Sequence, residues 1–270
     1  MRFGARTAIH ACLILALAAC EAHEITPDEP VQDTQAPAIA AHPCEPVIFE
    51  DTQFTQCTAD PAVHAIHMVH ADADGEAYRS FASYAARRPA DAPPVAFAMN
   101  GGMFDENGDP IGYYVEEGER LHGLNRAEGP GNFHMLPNGV FFGDATGNWH
   151  VWDTQRFFDN VETRPQFGTQ SGPMLVVAGE LHQGFDVDGD SQKIRNGVGV
   201  DPSGRAHFVI SEVPVSFGRF ARFFRDVLRT PNALFLDGSV SQLWDAESGR
   251  MDNRAPLGPL IIVEMRENGG

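Results

Sequence analysis

The stretch Asn232–Trp244, NALFLDGSVSQLW, is the part of the chain from which both a fold and a site can be predicted. Its run Ala233–Leu236 is short and wholly apolar, which is typical of a strand buried on both faces. The residues of interest after this strand are Asp237, Gly238, Ser239 and Ser241. A carboxylate at the end of a buried strand, beside residues small enough for a ligand to reach the backbone, is typical of a chemical site. Asp-Gly is also a common turn between two strands, so both interpretations stay open at this point.

Composition and charge limit the classes of partner. The chain has 270 residues, enough for one large domain or two small ones, and 43% of them are hydrophobic. The formal net charge of −18 argues against nucleic acid, because phosphate backbones are bound by basic surfaces. The same charge is compatible with a small phosphate-bearing ligand, which one arginine can bind locally.

The first nineteen residues predict a signal peptide. The apolar run Ile9–Ala19 is too short to cross a bilayer as a mature helix. Leu17–Cys20, LAAC, resembles the lipobox of bacterial lipoproteins, so we expect Cys20 to be lipidated. Glu21 is not the Asp that retains lipoproteins in the inner membrane, so the expected location is the periplasmic side of the envelope, anchored to the outer membrane by this lipid alone. An ordinary signal peptide, with Cys20 incidental, is the alternative.

The segment after Cys20 differs in composition from the rest of the chain. Residues 20–43 are rich in proline and acids and poor in large apolar residues, which predicts a disordered acidic tether. The folded domain is expected at 44–265. Cys44 and Cys57 form an even pair in an export context, so they predict a disulfide rather than a metal site, for which CxxC spacing is lacking.

The hydrophobic patterns predict an α+β fold with mixed, mostly antiparallel sheets and a few helices in a single domain. Two amphipathic patterns predict helices at Glu76–Arg88 and Ser216–Arg229, the second capped by Ser216. Asn132–Leu136 and Gly139–Gly143 flank Pro137-Asn138, which predicts a hairpin. Further strands are predicted at Val63–His70, Val95–Met99, Asn148–Asp153, Met174–Ala178, Val198–Asp201, Arg205–Ser211 and Gly258–Met265.

A second strand-and-turn pattern follows Val95–Met99. Asn100, Gly101 and Gly102 come directly after this apolar run, and paired glycines can expose consecutive N–H groups to an anion. The next residues match four positions of a calcium loop, at Asp105, Asn107, Asp109 and Glu116. Pro110 occupies the place where that loop requires glycine. We therefore predict no cofactor and no metal, with a divalent cation such as calcium as the alternative.

Four stretches follow one another along the chain: MNGGMFD at 99–105, SGPMLV at 171–176, RNGVGVD at 195–201 and ALFLDGSVSQLW at 233–244. Together they resemble the motifs of the phosphodiester glycosidase domain family, over nearly all of 44–265. The family is typified by the lysosomal uncovering enzyme, which removes N-acetylglucosamine from a sugar-1-phosphate diester. The chain is most similar to a bacterial branch of this family.

The resemblance implies hydrolysis of a glycosyl–phosphate bond, and hence a sugar-phosphate or phosphodiester-linked glycan as the partner. Most glycosidases need a carboxylic acid to protonate a poor leaving group. Here the leaving group is a phosphate monoester with a second pKa of about 6, so it departs as a stable anion. Groups that hold the phosphate should therefore matter more than a general acid.

Candidate residues follow from the resemblance. Arg195 is expected to hold the phosphate, helped by the N–H groups of Gly101 and Gly102. The candidate carboxylates, for activating water or stabilising an oxocarbenium ion, are Asp237, Asp201 and Asp105. The other candidates, expected to orient sugar or phosphate oxygens or to shape the turns, are Asn100, Ser171, Gly172, Gly238, Ser239 and Ser241. Each also has a purely structural interpretation, such as a turn at Asp201 or an ion pair at Arg195.

One departure from the family pattern leaves the function open. The family commonly has Asp-Gly-Gly-Gly-Ser, whereas here Asp237-Gly238 is followed by Ser239-Val240-Ser241. Bulkier residues narrow the site, which favours the alternative of a non-catalytic envelope lipoprotein that binds a glycan or another envelope component through the same cleft. A serine hydrolase is a weaker alternative, since no G-x-S-x-G elbow is present.

Overall fold

The computed structural model describes residues 42–266. The predicted signal peptide, the lipidation at Cys20 and the tether up to residue 41 lie outside the described residues. The strands are β1 (Cys44–Phe49), β2 (Thr52–Ala59), β3 (His64–Val69), β4 (Val95–Asn100), β5 (Tyr114–Glu116), β6 (Glu119–His122), β7 (Gly139–Gly143), β8 (Trp149–Asp153), β9 (Phe167–Ser171), β10 (Met174–Val177), β11 (Glu180–Leu181), β12 (Asn196–Val200), β13 (Ala206–Ser211), β14 (Asn232–Phe235), β15 (Leu243–Asp245), β16 (Arg250–Met251) and β17 (Leu260–Met265).

These strands form three sheets in which the strand pairs are antiparallel. Sheet 1 has the order β1-β2-β13-β12-β14-β10-β11. Sheet 2 has the order β16-β15-β4-β17-β3, and sheet 3 the order β6-β5-β9-β7-β8. The predicted α+β class, with sheets dominating a few helices in one domain, is confirmed.

Three short helices are α1 (Phe81–Arg87), α2 (Thr154–Asn160) and α3 (Phe217–Arg222), and α3 continues into a π-helical turn at Phe223–Val227. Ser216 caps α3 as predicted, because its Oγ accepts the N–H of Arg219 at 3.1 Å. The first predicted helix is shorter than expected: it starts after Ser80, whose side chain caps it. Among residues 42–266, no helix is long and apolar enough to span a membrane.

The inner faces of the three sheets meet in one core, at the ring of Phe208 on β13. Its centroid lies 5.4 Å from that of Phe97 on β4 and 5.6 Å from that of Phe141 on β7, both edge to face. Phe208 therefore contacts one aromatic ring from each of the other two sheets. All three rings are fully or almost fully buried.

The outer face of each sheet is covered by one helix. The phenylalanines of α3 and its π-turn pack against sheet 1, Phe81 of α1 packs against sheet 2, and Phe157 of α2 packs against sheet 3. Because both faces are covered, strands near the middle of the sheets are apolar on both sides. The run Ala233–Leu236 illustrates this: Leu234 and Leu236 join the central core, whereas Ala233 and Phe235 join the cluster under α3.

The predicted disulfide is confirmed, and one predicted hairpin is wrong. Cys44 and Cys57 are directly opposite each other on β1 and β2 and are bonded. Asn132–His134 forms a 3-10 turn rather than a strand, and β7 pairs instead with the following strand β8. The side chain of Asn138 explains the difference, because its Nδ2 donates to the carbonyl of Phe133 at 2.9 Å and holds this segment in a compact turn.

Candidate functional site

Strands from all three sheets end at the same place. Asn100 ends β4 of sheet 2, Ser171 ends β9 of sheet 3, and Asn196 begins β12 of sheet 1. Leu236 and Asp237 follow β14, which pairs with β12. The Oγ of Ser171 donates to the carbonyl of Leu236 at 3.1 Å, which ties sheet 3 to sheet 1.

The buried side chain of Asn100 joins the other elements at this point. Its Oδ1 accepts from Asn196 Nδ2 and from the backbone N–H of Gln242, both at 2.9 Å. Its Nδ2 donates to the carbonyl of Asp237 at 3.2 Å. Ser241 extends the chain of bonds by donating its Oγ–H to Asn196 Oδ1 at 3.0 Å. We call Asn100, Asn196, Ser241, Gln242 and the Asp237 carbonyl the strand-end network.

The strand-end network changes the roles expected for Asn100 and Ser241. Their side-chain atoms are buried and bonded within the protein, so they hold the Asp237 turn in place. Ser171 is engaged in the same way. The geometry of Asn100, Ser171 and Ser241 is that of positioning residues.

The N–H groups of Gly101 and Gly102 are also engaged, which corrects their predicted use in holding phosphate. Gly101 donates to the carbonyl of Pro259 at 2.7 Å, and Gly102 donates to Thr169 Oγ1 at 3.0 Å. Glycine is needed at position 102 for space: a Cβ there would lie 2.2 Å from the carbonyl oxygen of Gln170.

Gly172 and Gly238 serve close packing as well. A Cβ on Gly172 would lie 2.7 Å from the Cβ of Asn138. A Cβ on Gly238 would lie 2.6 Å from the ring of Phe235. Gly238 therefore lets the Asp237 turn lie directly on this ring.

Arg195 is the most unusual group of the site. Its side chain is 1% exposed, and no carboxylate among the described residues pairs with it. Its Nε donates to the carbonyl of Val215 at 2.9 Å, and its Nη2 donates to the carbonyl and the Oγ of Ser191 at 2.7 and 3.2 Å. Within residues 42–266, Nη1 makes no hydrogen bond. Burial lowers the pKa of Arg195 to about 10, so the guanidinium remains charged at neutral pH.

A column of stacked rings supports this guanidinium. Its Cζ lies 3.5 Å from the centroid of Phe217, Phe217 stacks on Phe185 at 4.8 Å, and Phe185 stacks on His182 at 4.5 Å. A second ring, Phe235, lies 5.5 Å from the guanidinium. Cation–π contacts compensate part of the cost of burying a charge that has no carboxylate partner.

A cavity of about 320 Å³ joins Arg195 to the Asp237 turn. It is lined by Asn132, Ser191, Lys193, Arg195, Phe235, Gly238 and Ser239. Two cations and two hydroxyl residues thus surround a space large enough for a phosphate group and part of its substituents. In a chain of net charge −18, this is a local concentration of positive charge.

Asp237 immediately precedes the Gly238–Ser239 wall of this cavity. Asp237 is 8% exposed, and its Oδ1 accepts the N–H of Ser239 at 2.9 Å. Burial raises the pKa of Asp237, and the hydrogen bond from Ser239 opposes this only in part. A largely buried carboxyl with a raised pKa beside a cationic cavity is typical of a catalytic group.

Asp201 lies elsewhere, which corrects its assignment as a second carboxylate of the site. Arg195 precedes β12 and Asp201 follows it. The five-residue strand between them is about 16 Å long. The carboxylate of Asp201 accepts from Ser203 Oγ at 2.6 Å, Arg205 Nε at 2.9 Å and His207 Nε2 at 3.0 Å. These partners lower the pKa of Asp201 despite its burial, and they fix the turn between β12 and β13.

Asp105 is not part of the Arg195 cavity either. It is exposed, and its Oδ1 accepts the N–H groups of Asn107 and Asp109 at 2.8 and 3.0 Å. These backbone N–H groups lower the pKa of Asp105 and close the loop on itself, as in a common Asx turn. In the part of the chain that the structure describes, no group of three or more His, Cys, Asp or Glu side chains is placed to hold a metal ion.

Several residues of the site were not predicted. Asn196 and Gln242 lie inside the quoted motifs, next to Arg195 and Ser241, but their bonds to Asn100 join residues 96 and 142 positions apart. Lys193 lies two residues before Arg195, and in an extended segment such residues point the same way, which is a signal that the sequence offered. Ser191 and Phe217 gave no such signal.

The chain is similar to a family model and to several known proteins. The family model described as phosphodiester glycosidase matches residues 94–262, more than half of the chain. The chain belongs to the phosphodiester glycosidase family. The matched residues include those of the strand-end network and those that line the Arg195 cavity. The uncharacterized protein YigE of Escherichia coli K12 is 34% identical over 232 residues, which are 85% of this chain and 88% of that protein.

Two solved structures share the fold of this phosphodiester glycosidase family member. One is the zebrafish N-acetylglucosamine-1-phosphodiester alpha-N-acetylglucosaminidase catalytic domain, auto-inhibited by its pro-peptide, with a TM-score of 0.56, 14% identity, and coverage of 83% of this chain and 82% of that one. The other is a hypothetical protein from Synechocystis, with a TM-score of 0.52, 15% identity, and coverage of 83% and 61%. At these identities the likeness concerns the fold.

Proposed function

We propose that this protein hydrolyses the glycosyl–phosphate bond of a phosphodiester-linked sugar. The observation that carries the proposal is Arg195, a buried guanidinium that pairs with no carboxylate of residues 42–266 and lines the same cavity as Gly238 and Ser239 of the Asp237 turn. A buried cation is costly unless it is paired, and a phosphate group would be the missing partner. Membership of the family supports the same reaction.

Arg195 and Lys193 are assigned to the phosphate. The diester carries one negative charge, and a second develops on the departing phosphate as the glycosidic bond breaks. Cations placed against the departing phosphate stabilise charge that grows in the transition state more than charge already present in the ground state. This replaces much of the help that a general acid gives to an alcohol leaving group.

Asp237 is assigned a role at the anomeric carbon of the sugar. Its free oxygen, Oδ2, has no hydrogen-bond partner among the described residues, while Oδ1 is held by Ser239. In the ionised state it would stabilise an oxocarbenium ion or take a proton from water. Burial makes the ionised carboxylate of Asp237 unfavourable, as its raised pKa shows. A cationic transition state beside it would stabilise this negative charge, which favours the transition state over the ground state.

The proposal includes export and anchoring by a lipid on Cys20, which places the substrate in the bacterial envelope. The support is the sequence of residues 1–20. Metabolic labelling with a fatty acid should mark the full-length protein and not a Cys20→Ser variant. Labelling of both variants alike, or of neither, would contradict the lipid anchor and leave the hydrolase proposal unaffected.

The test of the reaction is turnover of a panel of hexose-1-phosphate and N-acetylhexosamine-1-phosphate diesters by the purified protein. We expect release of free sugar by the wild-type protein and loss of at least about 1,000-fold in kcat for Asp237→Asn, with a normal circular dichroism spectrum. Asp201→Asn is the matched control, since that carboxylate lies at the other end of β12 and should affect stability more than kcat. Tight binding of the diesters by the wild-type protein with no turnover would instead identify a glycan-binding lipoprotein.

A further inference from the structure

A second cavity of about 200 Å³ adjoins the Arg195 cavity. The two cavities share Asn132 and Ser191 in their linings. The first is bounded by Gly238 and Ser239, and the second by Phe217, whose ring carries the guanidinium of Arg195. The second cavity therefore adjoins the first on the side of Phe217, whereas Gly238 and Ser239 of the Asp237 turn line the first.

This order along the cleft determines which part of a substrate each cavity can receive. A phosphodiester on Arg195 extends one substituent toward the Asp237 turn and the other toward the second cavity. Since the sugar must lie at Asp237 for its bond to be cleaved, the second cavity receives the alcohol that stays on the departing phosphate. This step rests on the proposed function.

The lining of the second cavity is partly apolar and partly acidic. Met135, Phe185 and Phe217 provide apolar surface, whereas Asp186 and Asp190 are exposed carboxylates. In the described part of the chain, neither carboxylate forms an ion pair. Both faces of the Phe185 ring are already covered by His182 and Phe217, so a ligand meets only its edge.

The loop that carries these carboxylates is held firmly on α3. Arg222 donates to the carbonyl of Val187 at 2.6 Å and pairs with Asp188 at 3.2 Å. Gly218 lets the loop lie close, because a Cβ there would be 2.3 Å from the carbonyl oxygen of Asp186. These contacts hold the backbone of Asp186 and Val187 against α3, where the side chain of Asp188 pairs with Arg222.

We propose that the second cavity is a leaving-group subsite that selects an alcohol carrying an ammonium or hydroxyl group and rejects one carrying a negative charge. Two unpaired carboxylates attract a cation, can accept hydrogen bonds from hydroxyl groups, and repel an anion. Asp186 and Asp190 are thus specificity-determining residues.

The experiment compares three esters of one sugar 1-phosphate that have nearly the same size: the 2-aminoethyl, 2-hydroxyethyl and carboxymethyl diesters. If each carboxylate contributes like a partly exposed ion pair, kcat/KM should differ by roughly 30-fold between the aminoethyl and carboxymethyl esters, with the hydroxyethyl ester between them. The ratio should fall as salt is added. The double variant Asp186→Asn/Asp190→Asn should reduce it to less than about 3-fold.

Asp188→Asn is the matched control, because it removes the same charge from the same loop at a position that does not line the cavity. It should leave the ratio within a factor of about 2 of the wild-type value. A wild-type ratio near 1, or an equal effect of Asp188→Asn, would overturn the subsite while leaving the hydrolase proposal intact.

Binding of the phosphate monoester products separates the two proposals if no diester is cleaved. Phosphoethanolamine, 2-hydroxyethyl phosphate and phosphoglycolate should compete for Arg195 with affinities in the same order, measured by calorimetry on the full-length protein. That order without turnover would refute hydrolysis and support the subsite. Failure to bind any of the three, with no turnover, would overturn both.

Discussion

Replacing Arg195 with methionine should separate ligand binding from stability. Methionine keeps much of the volume of the side chain against Phe217 and Phe235 and removes its charge. If the guanidinium is kept for a phosphate, the variant should lose affinity for anions and remain folded.

The structure gives the expected size of each effect. A hydrogen bond to a charged group contributes about 1.5–3 kcal/mol, so losing one to phosphate should weaken binding roughly 10- to 150-fold. The cost to the fold is smaller. The two acceptors of the guanidinium do not lose all their partners when it is removed. The carbonyl of Val215 still accepts the N–H of Lys193 at 3.2 Å, and Ser191 is exposed to water. Removing an unpaired buried charge also offsets the lost bonds, so the free energy of unfolding should change by less than about 2 kcal/mol.

The assay is calorimetric titration with inorganic phosphate and a sugar-1-phosphate diester, together with chemical denaturation. Arg195→Lys should be intermediate, because lysine keeps the charge but not the planar fork. Arg205→Met is the control: it removes an equally charged side chain that pairs with Asp201 beyond the far end of β12. The reasoning is refuted if Arg195→Met binds both ligands like the wild-type protein, or if Arg205→Met loses affinity equally.

Three further predictions concern the fold and the site. Gly102→Ala should destabilise the protein by about 3 kcal/mol in a urea titration, because the new Cβ would overlap the carbonyl of Gln170, and a wild-type midpoint would contradict this close approach. Reducing the Cys44–Cys57 disulfide, which spans 13 residues, should lower the free energy of unfolding by about 3 kcal/mol in the chain-entropy model, with an unchanged midpoint in dithiothreitol as the contrary result. For Asp237→Asn, the melting temperature should equal that of the wild-type protein in acid and exceed it increasingly at higher pH. The raised pKa means that the folded state favours the protonated carboxyl, so stability is lost as the pH rises through the folded pKa, and a constant difference across pH 3–8 would argue against burial as the cause.

The elements predicted correctly from the sequence are those whose pattern is local. Val95–Met99, Ala233–Leu236 and Gly258–Met265 are apolar runs bounded by glycine or proline, and each contains or becomes a central strand. The hairpin of β1 and β2 was missed. Its strands mix polar and apolar residues, and its turn uses Glu50 and Asp51 at positive φ instead of the usual Asn-Gly.

The candidate site was predicted in part for a similar reason. The motif around Asp237 and Arg195 is local, and Arg195 lines one cavity together with Gly238 and Ser239, the two residues that follow Asp237. Asp201 belongs to the same motif as Arg195, but an extended strand of five residues carries it away from the cavity. Which oxygens and N–H groups stay free for a ligand depends on partners far apart in sequence, as for Gly101 and Gly102. Such pairings cannot be inferred from one sequence.

Strand ends from three sheets meet beside the Asp237 turn, and this has a consequence for how activity reports on folding. Asn100, Ser171 and Asn196 come from different sheets, so no fragment lacking one of the sheets can assemble the cleft. Ligand protection in hydrogen exchange should therefore extend to amides in β4, β9 and β12 together. When variants of this chain are screened, phosphate affinity can then show whether all three sheets have packed together. Circular dichroism reports secondary structure and does not test this packing.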